Sequence, residues 1–311
     1  MAERRRRKKK ISIKGKIVCG ILIVCLAVGV VGVKKYMDNS ALRNKGEILS
    51  VENDNPIDNE DAAATTILAK NVSITTINVG DGLSVFIDAG DKNLLYDAGS
   101  TRSGKTVVET IKQIDPTAKK IDYVIASHND SEHIGGFNEV YSAFNVGTTI
   151  YGENVKEFEK IAKSKSDVYK EDENESFSLA DNVTVSIIDV VDKDKSSKNN
   201  SVCALVQMGK TNCLITGDID KSTEKMLNGK IPEEIDLYIG GDHGSADANY
   251  LINTTSVNYQ FDYYVLSCKE TTANSHIEEI ILEKADLYKT ASGTLTFISD
   301  GEQILPSSEM Q

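Results

Sequence analysis

The chain is poor in several things that would define other protein classes. It has no tryptophan, four prolines, four histidines and 6% aromatic residues in 311. No Cys-x-x-Cys spacing occurs, which excludes the thiolate zinc sites that such pairs build. No internal repeat can be named. Only one long apolar run is present, Ile17 to Val33, so the chain lacks the many spans of a membrane channel. Basic side chains are scarce beyond that run. Residues 1–36 hold 11 Lys and Arg against one acid, a net +10, while the remainder holds 24 basic and 46 acidic side chains, a net −22. Such an acidic surface repels long polyanions, nucleic acid included, unless a local basic groove compensates.

The N-terminal region reads as a membrane anchor. Residues 1–16 form a basic tail with Arg4 to Arg7 and Lys8 to Lys10, and Lys34 and Lys35 close the apolar run of residues 17–33. At ~1.5 Å per helical residue the run spans roughly 25 Å, against a hydrocarbon core of ~30 Å. The heavier basic flank is N-terminal, so the expected topology is a single-pass cell-membrane protein with its N-terminus in the cytoplasm and the rest outside. A cleavable signal peptide is the alternative, with Ala27-Val28-Gly29 as the small residues. The run exceeds the usual length of such a segment and continues past Gly29, which favours an uncleaved signal anchor.

Residues 34–69 are rich in Asn, Asp, Glu and Ala and read as an exposed linker. Residues 70–304 carry the periodicity of a folded domain, with 305–311 as a tail. Val72 to Ile77 and Leu83 to Ile87 are strand-like, and Asn93 to Gly99 is a third strand that runs into a loop. Val107, Val108, Ile111 and Ile114 mark one face of a helix over 104–114. Asp122 to Ala126, Val202 to Met208, Asn212 to Thr216, Ile235 to Ile239, Phe261 to Ser267 and Thr294 to Ser299 are further strands. Helices are expected at 137–144, 154–164, 221–227 and 276–284. Strands first meander, then alternate with helices, and the order recurs. Two packed sheets with helices outside follow, an α/β (α+β) domain. Counting outward from the turn at Gly209-Lys210 sets Cys203 opposite Thr216 rather than Cys213. That argues against a disulfide between them and leaves these thiols as small buried hydrophobes.

All four histidines lie in short segments bounded by Gly, Ser or Asp. His128, Asp130, Glu132 and His133 fall within six residues, directly after an apolar strand and before Gly135-Gly136. Loops at strand ends can turn such side chains into one cleft, where imidazole and carboxylate suit a divalent cation. The alternative is a solvated loop that caps the following helix. Asp218 follows the apolar Cys213-Leu214-Ile215 and is placed as a shared carboxylate, although Gly-Asp is also a common turn. Asp242 and His243 end another apolar strand among Gly240, Gly241 and Gly244. His276 begins a helix, either as a ligand or substrate contact or as an ordinary first-turn residue with Ser275 as N-cap.

Taken in order, Asn78-Val79-Gly80-Asp81-Gly82, Asp97-Ala98-Gly99, Ser127-His128-x-Asp130-x-Glu132-His133-x-Gly135-Gly136, Thr216-Gly217-Asp218, Asp242-His243-Gly244-Ser245 and Ser267 with His276 resemble the metallo-β-lactamase superfamily. Within it the likeness is closest to the ComEC-type hydrolase domain of the DNA-uptake (competence) proteins, and it spans about Asn71 to Gly301. Asn199-Asn200-Ser201 resembles the Asn-x-Ser stretch of that type. The sequence departs from the family pattern in having Glu132 for an Asp and Asp242 for a His.

The resemblance implies an αββα sandwich, here preceded by one transmembrane helix, with a metal site at the sandwich edge. It implies one or two zinc ions, with manganese as an alternative, and ligands drawn from His128, Asp130, Glu132, His133, Asp218, Asp242 and His243. One ion on Glu132, His133, Asp218 and His243 is the simpler set, with a second near His128 and Asp130. The implied activity is hydrolysis of a phosphodiester, DNA or a smaller envelope substrate, or of an ester. A bound water, acidified by the ion to a pKa of ~7, would attack a phosphoryl or acyl centre. Asp130 is the expected group to orient or deprotonate the water, and His276 to contact the leaving group. The other reading is a domain that keeps the fold without the chemistry and serves as an extracellular binding module.

Overall fold

Apolar side chains on both faces of most strands bury two sheets against each other and against helices. The computed structural model describes residues 70–152, 156–171, 175–188, 190 and 200–308. The first sheet contains β1 (Val72–Thr76), β2 (Val85–Asp88), β3 (Asn93–Tyr96), β4 (Lys120–Ala126), β5 (Asn145–Tyr151) and β6 (Ser166–Glu171), joined by β14 (Leu295–Ser299) and β15 (Ile304–Pro306). The second contains β7 (Ser176–Ala180), β8 (Val183–Ile188), β9 (Cys203–Met208), β10 (Thr211–Ile215), β11 (Glu234–Ile239), β12 (Gln260–Leu266) and β13 (Asp286–Lys289).

The strand orders are β15-β14-β1-β2-β3-β4-β5-β6 and β13-β12-β11-β10-β9-β8-β7. In each sheet an antiparallel meander passes into parallel strands. The change falls at β3–β4 in the first sheet and at β10–β11 in the second. Parallel strands need helical crossovers. These are supplied by α1 (Gly104–Ile114), α2 (Ser131–Ile134), α3 (Phe137–Ala143), α4 (Lys156–Lys165), α5 (Lys221–Glu224), α6 (Tyr250–Asn253) and α7 (Ser275–Leu282).

The period-two direction of strand side chains assigns the layers. Val85 and Ile87 join the core between the sheets, with Tyr96, Ile125, Val206, Ile215, Leu237 and Val265. Phe86, between them in sequence, points the other way and packs with Val107 and Ile111 of α1 and Phe137 of α3. On the outer face of the second sheet, Leu214, Tyr238 and Tyr264 pack with Leu251 of α6 and Ile277 of α7. The result is the expected αββα sandwich. Each fully buried Leu, Ile, Val or Phe in these layers contributes roughly 1.5–3 kcal/mol of hydrophobic stabilisation.

Helix α1 has the bounds expected from its periodicity. Ala204 pairs with Ile215, so the register sets Cys203 opposite Thr216 as expected, and Cys203, Cys213 and Cys268 are free and buried. The sheet runs past residue 304, where the sequence suggested a tail. Pro306 is accommodated because β15 is an edge strand. The apolar run 17–33, its basic flank, the linker 34–69 and residues 191–199 lie outside the described residues. Among the described residues no helix is long and apolar enough to cross a membrane.

Candidate metal centre

Side chains just past the C-terminal ends of three strands, with one from a short helix, converge at Asp218. His128 follows β4, Asp218 follows β10, and Asp242 and His243 follow β11. His133 stands on α2, five residues beyond His128. Asp218 Oδ2 lies 3.1 Å from His133 Nε2, 3.1 Å from His243 Nε2 and 3.7 Å from His128 Nε2. His128 and His133 are buried, and Asp218 is 5% exposed. Two trios result, each with ligand atoms within 4.8 Å of one another: His128, His133 and Asp218, and then Asp218, Asp242 and His243. Asp218 belongs to both.

The far nitrogen of each ring is tied down. His133 Nδ1 donates to Asp97 Oδ2 at 2.7 Å. His243 Nδ1 donates to the Ser267 carbonyl at 2.6 Å. His128 Nδ1 meets Ser127 Oγ at 2.9 Å and Ser201 Oγ at 3.2 Å. Ser127 gives its own proton to Asp97 Oδ2 at 2.6 Å, so its oxygen accepts from His128. All three rings therefore present an unprotonated Nε2 to the centre in their neutral form. Such second partners fix the tautomer and orientation of a metal-binding histidine.

A divalent ion fits this arrangement. Among the described residues, no partner meets hydrogen-bond geometry at the buried Nε2 atom of His128, His133 or His243. Leaving a buried polar atom unpaired costs about 1–3 kcal/mol. Three such atoms aimed at one carboxylate, with nitrogen and oxygen donors only, match the ligand chemistry of zinc and its neighbours. Without the ion the charges compensate one another. Burial acts to raise Asp218, but His133 and His243 hold its carboxyl well below the usual range. Burial acts to lower His133 and His243, but Asp218 raises both, with Asp97 adding to the effect on His133.

Asp97 is the main residue that motif reading left without a role. It is fully buried at the end of β3, and it accepts from Ser127 N at 2.8 Å besides the Ser127 hydroxyl and His133. Ser201 is a second. Its hydroxyl accepts from Asp218 N at 3.3 Å while touching His128, so it links the two halves of the site. Gly82 joins three loops. Its carbonyl accepts from Ser267 Oγ at 2.6 Å, and a Cβ at Gly82 would lie 2.2 Å from the Glu132 carbonyl oxygen. Only glycine fits there.

Three expectations require correction. Glu132 does not join either trio. Residues 131–134 form one helical turn, not a loop, and successive residues differ by about 100° around a helix. With His133 turned inward, Glu132 faces outward, where it accepts from Ser131 Oγ at 3.1 Å. The partition also differs: His128 groups with His133, and His243 groups with Asp242. Asp130 stands at the rim, its Oδ2 3.5 Å from His128 Nε2 and its side chain 44% exposed. The His128 ring draws its carboxyl below the ordinary range. His276 is not brought to the centre. Asn274, not Ser275, caps α7 by accepting from His276 N at 3.0 Å, and the His276 ring is 78% exposed beside Glu279.

The fold and these side chains define a class. The model of the metallo-beta-lactamase superfamily matches residues 77–254, more than half of the chain, and the chain belongs to that superfamily. Members of the superfamily are in general metal-dependent hydrolases, and the fold implies a divalent ion. Among its relatives are Competence protein ComA of Neisseria gonorrhoeae, 26% identical over 215 residues, and Recombination protein 2 of Haemophilus influenzae, 26% identical over 204. The alignments cover 67% and 61% of this chain but only 29% and 24% of those proteins, so the chain spans less than a third of the relatives it matches. The likeness to a competence protein expected from the motifs is thus present. The metallo-beta-lactamase fold protein YhfI of Bacillus subtilis superposes with a TM-score of 0.50 at 14% identity, over 70% of this chain and 97% of its own.

Proposed function

We propose that this chain is a metal-dependent hydrolase of a phosphodiester substrate. The observation that carries this reading is the convergence of three orphaned imidazole nitrogens on Asp218. His128, His133 and Asp218 would hold one zinc ion. Asp242 and His243, with Asp218 shared, would hold a second, where two carboxylates make manganese an acceptable substitute. A bound ion would acidify a water and polarise the substrate oxygen.

The chain's own groups account for the rest. Asp97 and the Ser267 carbonyl keep His133 and His243 facing the centre. Asp130, half-exposed at the rim, would orient the attacking water and take its proton. The leaving group loses its expected partner, because His276 stands away from the cluster. The likeness to competence proteins favours DNA or another phosphodiester as substrate. The net −22 of the chain beyond residue 36 favours a short or small one over long DNA. The apolar run 17–33 with its basic flank supports an anchor in the cell membrane, with the hydrolase domain outside.

The test is hydrolysis of bis-p-nitrophenyl phosphate, an ester and a lactone by the full-length chain with added zinc or manganese. Phosphodiester cleavage that disappears in Asp218→Ala supports the reading. Stoichiometric metal with activity only on the ester or lactone would reassign the substrate. A folded chain that takes up no metal would leave the non-catalytic module.

A further inference from the structure

Behind the second trio lies a buried polar chain that the proposed chemistry does not use. Glu224 of α5 is 1% exposed, and Thr216, Tyr238, Tyr264 and Asn249 are fully buried. Tyr238 on β11 donates to Glu224 Oε1 at 2.9 Å, and the Tyr250 amide donates to Glu224 Oε2. With its proton committed to Glu224, the Tyr238 oxygen accepts from Thr216 Oγ1 at 2.9 Å. Tyr264, the neighbour of Tyr238 in register on β12, stacks on it with centroids 4.4 Å apart. Its hydroxyl donates to Asn249 Oδ1 at 2.6 Å. The Asn249 amide donates in turn to the carbonyls of Ser245 at 3.0 Å and Gly241 at 3.4 Å.

The two ends of this chain touch the two ligand loops. Thr216 stands two residues before Asp218. Gly241 and Ser245 bracket Asp242 and His243. That second loop is costly to hold. Asp242 and His243 both have left-handed backbones, with φ of 45° and 57°. Residues other than glycine meet a steric penalty in that region. The loops are also packed hard together, since a Cβ at Gly240 would lie 2.0 Å from Thr216 Oγ1. Phenylalanines and a leucine would fill the same space without burying a carboxyl and two phenols, each of which demands a partner. What the polar chain adds is a fixed position for both loop backbones.

We propose that Glu224, Tyr238, Tyr264 and Asn249 are positioning residues, which hold the Asp218 and Asp242–His243 loops in the geometry that binds the second ion. The inference rests on the metal reading above. It predicts that the strained loop relaxes when the chain is cut at its Asn249 end, and that metal affinity falls as a consequence.

Tyr264→Phe removes one hydroxyl and little volume. Tyr259→Phe is the control, because Tyr259 packs in the same outer layer and its hydroxyl donates to Asn228 at 2.9 Å, away from both ligand loops. Hydrogen exchange is measured on the full-length chain in detergent, without metal, and zinc affinity by competition with a chelator. The expected result is faster exchange across residues 240–249 and an about 10-fold loss of zinc affinity in Tyr264→Phe only, in line with the effect of outer partners on metal sites. Equal exchange in that loop for the two variants overturns the proposal, as does zinc affinity that falls equally in both. If the wild-type chain takes up no zinc the metal reading fails, while the exchange comparison still decides whether the polar chain holds the loop.

Discussion

The Asp97 carboxylate reaches His133 Nδ1 at 2.7 Å and through that contact aims the opposite nitrogen at Asp218. The same carboxylate takes the Ser127 proton, which in turn sets the tautomer of His128. One buried group therefore orders two of the three histidines.

Asp97→Asn should weaken zinc binding about 10- to 100-fold, the range for groups that orient metal-binding histidines. The asparagine keeps one acceptor oxygen and introduces an NH2 that faces donors from Ser127 and His133. Competition with a chelator of known affinity measures the loss. Affinity equal to wild type would show that His133 holds its orientation without Asp97.

His276→Ala should leave zinc affinity unchanged and shift stability by no more than ~0.5 kcal/mol, as for an ordinary surface site. His243→Ala should abolish binding at the Asp242–His243 trio. Isothermal titration of the two variants side by side separates a ring that stands in solvent from one aimed at Asp218. A large loss of affinity in His276→Ala would restore the role suggested by its sequence motif.

Much of this was legible because it repeats. Val107 and Ile111 recur at helical spacing over eleven residues, and α1 follows from that alone. The apolar strands before His128, Asp218 and Asp242 announce loops at strand ends, one from the first sheet and two from the second. Four-residue elements give no such signal, so α2 read as a loop, and with it the direction of Glu132 was lost. The left-handed backbone at Asp242 and His243 is invisible to a pattern of side chains. Glu224 is the sharpest case. Nothing in a short helix beginning Lys221-Ser222 marks it as interior, and only the fold shows it buried against Tyr238 and the Tyr250 amide.

That burial carries a pH signature. Desolvation raises the Glu224 carboxyl from 4.5 to about 7, against the pull of its hydrogen bonds. Between those values the folded chain binds more protons than the unfolded chain. The contribution is fully present below pH 4.5 and is lost as pH rises through 7. It amounts to about 3 kcal/mol at 1.36 kcal/mol per pKa unit. Urea unfolding of wild type and Glu224→Gln at a series of pH values should show the two stability curves converging or crossing over this window. Parallel curves would place the Glu224 pKa near its ordinary value.

The most direct measurement is elemental analysis of the purified full-length chain, wild type and Asp218→Ala, after exposure to zinc and removal of free metal. The convergence of His128, His133 and His243 on one carboxylate predicts at least one zinc per wild-type chain. It predicts substantially less than one in Asp218→Ala, with far-ultraviolet circular dichroism unchanged. A folded wild-type chain without stoichiometric metal, or an Asp218→Ala chain that retains it in full, would contradict the account.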